Sequence, residues 1–178
     1  SAPSGAGKTT VINELFKTIK GIKRSVSFTT RPPKHKEINK IDYFFVSKKE
    51  FEKKIKNNEF VEYANVYGCF YGTSTYILEH IKDKDLVLNI DVQGGVSVKK
   101  KFPDAVLVFL MQPSFKELRN RLLKRKRDSK KEIEERIKNA KREIKFIAKY
   151  DFLVINDKLD DAVEKIKSII ISERCRIK

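Results

Sequence analysis

The chain has 178 residues, with 40 Lys and Arg against 24 Asp and Glu for a formal net charge of +16, and 40% of its residues are hydrophobic. That length suits one domain with room for a core. No apolar run approaches a bilayer span, and no signal peptide stands at the observed start. The positive excess suits an anionic partner: nucleotide, nucleic acid or acidic membrane surface. It is mostly Lys spread along solvated helix faces, so charge alone specifies no nucleic-acid or membrane partner.

The chain opens with Ser1-Ala2-Pro3-Ser4-Gly5-Ala6-Gly7-Lys8-Thr9. This reads as a phosphate-binding loop, A-x-x-x-x-G-K-T, with Ala2 where the usual pattern has Gly. Gly5 and Gly7 permit the tight curl that converges backbone N–H groups on a polyphosphate. Lys8 brings a compact positive charge to the β- and γ-phosphates, and the Thr9 hydroxyl suits a Mg²⁺ ligand. Val11, Ile12, Leu15, Phe16 and Ile19 fall on one face of a following helix, whose N-terminus favours the same anion. Ala2 in place of Gly raises the question of strain. A strand is expected to lead into the loop from upstream of Ser1.

Arg24–Thr30 reads as a strand, Arg31-Pro32-Pro33 as a break and Asp42–Val46 as an apolar run. Ser47 with Glu50 forms a capping box opening a helix to about Lys56. Glu59–Tyr67 alternates like a strand, Gly68–Gly72 reads as a turn, and Thr73 or Ser74 caps a short helix with Ile77, Leu78 and Ile81. Leu86–Ile90 (ending in Asp91), Ala105–Met111 and Phe152–Ile155 suit parallel strands buried on both faces. Helices are expected at Gly95–Lys101, Ser114–Lys126, Lys130–Tyr150 and Asp160–Glu173, with capping boxes at Ser114/Glu117 and Ser129/Glu132. The alternation implies an α/β fold with a doubly wound sheet, interrupted from Arg24 to about Lys84 by an inserted subdomain. Cys69 and Cys175 match no metal or redox spacing, alone or with His35 and His80. They read as unpaired thiols of a reducing compartment, with cytoplasm as the default.

The motifs S-A-P-S-G-A-G-K, S-F-T-T-R-P-P, D-Y-F-F-V, N-N-E-F-V-E, Y-G-T, N-I-D-V-Q-G and R-L-L-K-R occur in order along the chain. In that order and spacing the sequence resembles guanylate kinases over essentially its whole length. The resemblance implies a three-layer P-loop kinase fold with a central parallel sheet: core 1–23, 85–112 and 151–178, a mixed α/β GMP-binding subdomain 24–84 and a helical lid 113–150. It implies ATP and GMP as substrates, with Mg²⁺ as cofactor, and neither nucleic acid nor membrane as partner. Ala2 to Thr9 would hold ATP, with Asn156 and Asp157 on the adenine side. Arg31 and Lys34 would hold the GMP phosphate with Tyr43 and Tyr71. Glu62 would read guanine, helped by Ser27 and Thr73, with Asp91 near the base and metal. Lys8, Arg121, Arg125 and Arg136 would act on the transferring group, and lid and subdomain would close over both nucleotides.

Lys34 stands where the family usually has arginine, Lys36, Lys40 and Lys126 where glycines are common, and Asn139 where some relatives carry arginine. The alternatives are a non-catalytic guanylate-kinase-like module binding phosphorylated partners, a P-loop kinase for another monophosphate, and a nucleic-acid binder. Modules of the first kind typically lose the phosphate loop; Glu62 counts against an adenine-specific kinase. A nucleic-acid binder has no need of Glu62, Tyr43 and Tyr71 together.

Overall fold

Val11, Ile12 and Leu15, at helical spacing after the glycine-rich opening, are buried on one face of α1 (Lys8–Thr18). The chain then runs through β1 (Ile22–Arg24), β2 (Phe28–Thr29), β3 (Phe44–Phe45), α2 (Lys48–Lys56), β4 (Phe60–Val66), β5 (Cys69–Ser74) and α3 (Tyr76–Glu79). β6 (Asp85–Val87), α4 (Val92–Lys101), β7 (Val108–Met111), α5 (Phe115–Lys124), α6 (Lys130–Glu143), β8 (Phe152–Ile155) and α7 (Leu159–Arg174) follow. The structure, a computed structural model, describes residues 1–79, 81, 84–124 and 129–177. Contacts divide it into two units, 1–20 with 104–178, and 21–103.

In the first unit β7 and β8 pair in parallel, Val108 opposite Phe152 through Met111 opposite Ile155. Ser1 borders β7: its amino group donates to the Val108 carbonyl, and the Leu110 N–H donates to the Ser1 carbonyl, each at 2.8 Å. α1 packs on α7. α5 and α6 share a buried cluster of Leu118, Leu122, Ile133 and Ala140. In the second unit β1 pairs with β6 in parallel, and a mixed sheet has the order β3-β2-β5-β4. Phe51 of α2 stacks on Phe60 at 4.5 Å and Phe70 at 5.4 Å, while Phe28 stacks on Phe44 at 4.5 Å.

Five expectations are corrected. Arg24–Thr30 is not one strand: after Ser25 donates to Val87 the chain leaves β6, and from Ser27 it pairs with β3 instead. The turn lies at Tyr67 and Gly68, both with positive φ, as a two-residue hairpin loop requires. Gly72 only resembled turn punctuation. It lies within β5, where a Cβ would meet the Phe51 and Phe60 rings at 3.0 Å. Thr73 is therefore a strand residue, and of the two expected caps it is Ser74 that accepts from the Tyr76 N–H at 3.3 Å where α3 begins. The expected 130–150 helix stops at Glu143 and tightens into a 3-10 turn, Ile144–Lys149, with no Gly or Pro to mark the change. Leu86–Ile90 contributes a shorter strand than its apolar run suggests, because the chain leaves β1 after Val87.

The capping boxes of α2 and α6 are complete. At α5 only half the box forms: Ser114 accepts from the Glu117 N–H, but the Glu117 carboxylate accepts from Arg121. No described helix is long and apolar enough to cross a membrane.

Candidate functional site

The phosphate loop is wound by its own backbone and by the helices beneath it. The Ala6 N–H donates to the Pro3 carbonyl at 3.1 Å, closing a turn. Gly5 and Gly7 have φ of 97° and 93°, the left-handed region that favours glycine. Gly5 is also held by space, since a Cβ there would come within 2.8 Å of Leu118 and 3.0 Å of Leu122. Ala2, Pro3 and Ala6 are buried, and Ala2 has no positive φ, so Ala replaces Gly there without backbone strain. Gly7 is the N-cap of α1 and supplies no side-chain cap, and the first helical turn carries no acidic residue. The donors at this helix start are thus arranged for an external anion. Lys8 and Thr9 open the helix, Lys8 half-buried and Thr9 exposed.

Two of the expected arginines meet this loop. Arg136 of α6 donates to the Ser4 hydroxyl at 2.7 Å. Arg121 of α5 donates to Glu117 and to the Asn156 carbonyl, both at 2.9 Å, and its guanidinium lies 4.0 Å from where a Gly7 Cβ would stand. Arg125, like Lys126 and His80, lies outside the described residues. Asn156 is buried, and its side-chain amide donates to the Ala6 carbonyl at 2.7 Å. Asp157 beside it is exposed.

The second cluster lies in the unit 21–103. In a regular strand Phe60 and Glu62 would share a face. A register shift between them sends the Phe60 ring to α2 and stands Glu62 opposite Thr73. The Thr73 hydroxyl donates to the Glu62 carboxylate at 2.7 Å, and both residues are buried. Burial pushes the Glu62 carboxyl up to about 7; Thr73 opposes the shift, Asp91 adds to it and Lys101 opposes it. Asp91 is the N-cap of α4, accepting from the Gly94 N–H at 2.8 Å. A Cβ on Gly94 would come within 2.5 Å of the Glu62 carboxylate, so glycine there is what admits the charge. Ser27, also buried, lies at the entry to β2.

Arg31 follows β2. Its Nε donates to the Tyr71 hydroxyl at 3.3 Å and its Nη2 to Glu37 at 2.9 Å, and it lies over the Tyr43 ring at 5.5 Å. Burial and the neighbouring Tyr71 raise the Tyr43 hydroxyl above its ordinary value. Glu37 also accepts from the Lys34 N–H at 2.6 Å. Burial alone would raise the Glu37 carboxyl, but Arg31 and the Lys34 amide hold it below its ordinary range. Lys34 is exposed. The loop closes with Lys36 and Lys40 at φ of 69° and 68°, the left-handed region that favours glycine.

Sequence reasoning missed Glu37, Gly94 and Lys101, whose Nζ donates to the Val61 carbonyl at 2.6 Å. Glu37 carried a weak signal, six residues after Arg31 across a Pro-Pro break. Gly94 closes the N-I-D-V-Q-G motif, but nothing local ties it to Glu62, and Lys101 carried no signal, because both depend on α4 lying against β4.

The guanylate kinase family model matches residues 1–173. The guanylate kinase of Caldanaerobacter subterraneus subsp. tengcongensis is 46% identical over 99% of this chain and 87% of its own. That of Thermotoga maritima is 44% identical over 98% of this chain and 86% of its own. The crystal structure of guanylate kinase from Anaplasma phagocytophilum superposes with a TM-score of 0.81 at 32% identity, covering 98% of this chain and 84% of that one. With a glycine-wound loop capped by two arginines and a buried glutamate hydrogen-bonded by Thr73, the chain belongs to the guanylate kinase family.

Proposed function

We propose that this chain transfers the γ-phosphate of ATP to GMP, giving ADP and GDP. The observation that carries the acceptor is Glu62, a buried carboxylate whose described hydrogen-bond partner is the Thr73 hydroxyl. Guanine offers N1–H and the exocyclic N2 amine side by side, and an ionised carboxylate accepts both. Adenine presents a bare acceptor and a C–H there. A site built around such bonds rejects analogues lacking them by roughly 10⁴ or more. Ser27, Thr73 and Asp91 complete the base end. Arg31, fixed by Glu37 beside the Tyr43 and Tyr71 hydroxyls, takes the GMP phosphate, with Lys34 as a second cation.

On the donor side, the loop from Ala2 to Thr9 holds the β- and γ-phosphates through backbone N–H groups other than those of Pro3, which has none, and Ala6, which donates to the Pro3 carbonyl, and Lys8 neutralises them. Arg121 and Arg136, with Arg125 as a third, stabilise charge spread over the equatorial oxygens of the in-flight group. No covalent intermediate is needed; the chemistry is alignment and electrostatics. The donor set fits Mg²⁺ carried by the nucleotide. Thr9 offers one exposed hydroxyl at the helix start, and among the described residues no group of three His, Cys, Asp or Glu could cage an ion. Thr9 would hold the ion that arrives with ATP, which would supply charge neutralisation to the phosphates. In this reading 24–84 is the GMP-binding subdomain, 113–150 the lid and the remainder the core.

A non-catalytic phosphoprotein-binding module has no use for Arg136 on Ser4 or for an uncapped helix start at Lys8. Lys8→Met and Arg136→Ala test the assignment. Both variants should unfold near the wild-type temperature while kcat, followed as ADP release, falls by orders of magnitude. Wild-type turnover in either variant refutes that residue's role.

A further inference from the structure

Asn156 aligns with the adenine side of the ATP site by resemblance, yet its side chain is spent elsewhere. It is 5% exposed, and its Nδ2 donates to the Ala6 carbonyl at 2.7 Å, inside the phosphate loop. Its backbone is fixed at both ends. The Asn156 N–H donates to the Met111 carbonyl of β7 at 2.7 Å, and its carbonyl accepts from Arg121 at 2.9 Å. The loop has grown around it: a Cβ on Gly7 would come within 2.5 Å of Nδ2. A trans peptide sets its C=O and N–H in opposite directions. Holding the Ala6 carbonyl against Asn156 therefore turns the Gly7 N–H the other way, at the residue that begins α1.

We infer that Asn156 is a positioning residue of the phosphate loop: its buried amide sets the Ala6–Gly7 peptide so that the Gly7 N–H faces the donor's phosphates, and the same residue's carbonyl holds Arg121 beside them. The inference rests on the proposed role of residues 2–9 as the phosphate cradle. It departs from a role in reading adenine.

Asn156→Asp keeps the shape and sets a carboxylate oxygen against the Ala6 carbonyl; Asn156→Ala removes the donor without adding charge and carries the test should the first variant fold poorly. Inorganic tripolyphosphate, a phosphate chain without a base, serves as a competitive inhibitor against ATP at fixed free Mg²⁺. The KM for ATP and the Ki for tripolyphosphate should rise together, by about tenfold for one lost hydrogen bond, while the KM for GMP stays within twofold. A rise in KM for ATP with Ki unchanged would return Asn156 to the adenine and overturn the inference, as would unchanged values for both. A loss confined to thermal stability, with the folded enzyme's constants intact, overturns it too. Lys8→Met, run alongside, separates the two levels of the argument. If that variant binds tripolyphosphate like wild type, the phosphate cradle itself is misassigned. If Lys8→Met loses the inhibitor and the Asn156 variants do not, only the role of Asn156 fails.

Discussion

Replacing Glu62 by Gln removes one titration and changes little else, because the Thr73 hydroxyl can donate to an amide oxygen as it does to the carboxylate. Burial, the largest influence, raises Glu62 from an ordinary 4.5 to about 7. A carboxyl raised on folding favours the folded protein in its neutral form. That stability is fully present below the unfolded value and is lost as pH rises toward about 7. At 1.36 kcal/mol per pH unit the lost stability is about 3 kcal/mol above pH 7. Glu62→Gln should therefore be the more stable protein without ligand at pH 8, with a gain in Tm of roughly 6–12 °C for a chain this size. The gap should shrink to about a quarter of that by pH 5 and close at about pH 4.

Under the proposed function activity runs the other way, since reading guanine through Glu62 needs the ionised form. With a midpoint near 7, ionised Glu62 falls about tenfold between pH 8 and pH 6, and kcat/KM for GMP should fall with it. The GMP phosphate titrates near pH 6 as well. Dividing the wild-type profile by that of Glu62→Gln cancels the phosphate and isolates Glu62. Differential scanning fluorimetry and a coupled ADP-release assay over pH 5–8.5 measure both limbs. A flat ratio of profiles together with a pH-independent Tm gap would refute the argument for Glu62.

Arg31→Ala should raise the KM for GMP by about tenfold to a hundredfold, the worth of a hydrogen bond to a charged group. Lys34→Ala should raise it less, because Lys34 is exposed and screened; steady-state kinetics at fixed salt that reverse the order would show the anchors wrongly ranked. Gly94→Ala places a methyl against the Glu62 carboxylate, so the KM for GMP should rise about tenfold with the KM for ATP unchanged; an unaltered KM for GMP contradicts the packing argument. Lys36→Gly and Lys40→Gly relieve left-handed backbone at residues with a Cβ, and each should stabilise the fold by about 0.5–1 kcal/mol after the entropy of a more flexible unfolded chain is counted. Thermal unfolding checks this, and a lower Tm in both would count against it.

Legibility followed from where each instruction is written. The phosphate loop, the capping boxes of α2 and α6 and strand β8 are local, so a few adjacent residues announce them. At 36 and 40 the sequence misleads: lysines where the resemblance has glycines suggest a different loop path, yet both keep the left-handed backbone that glycine favours. What the sequence hid depends on neighbours far along the chain. Gly72 looks like a turn because its partners, the Phe51 and Phe60 rings, lie 21 and 12 positions away. The register shift that separates Phe60 from Glu62 exists only against β5. The resemblance places Asn156 on the adenine side, but its attachment to Ala6, 150 positions away, is not written in the sequence.

The proposed reaction needs both a carboxylate that reads guanine and a loop that holds the donor phosphates, and acceptor selection by the intact chain tests that directly. ADP release should be measured with Mg²⁺, ATP and, in turn, GMP, dGMP, AMP and UMP at equal concentrations. GMP should be the preferred acceptor, with AMP and UMP slower by roughly 10⁴ or more, and Glu62→Gln should narrow the gap between GMP and AMP. Phosphorylation of AMP by the wild-type chain as fast as GMP would contradict the account at its centre.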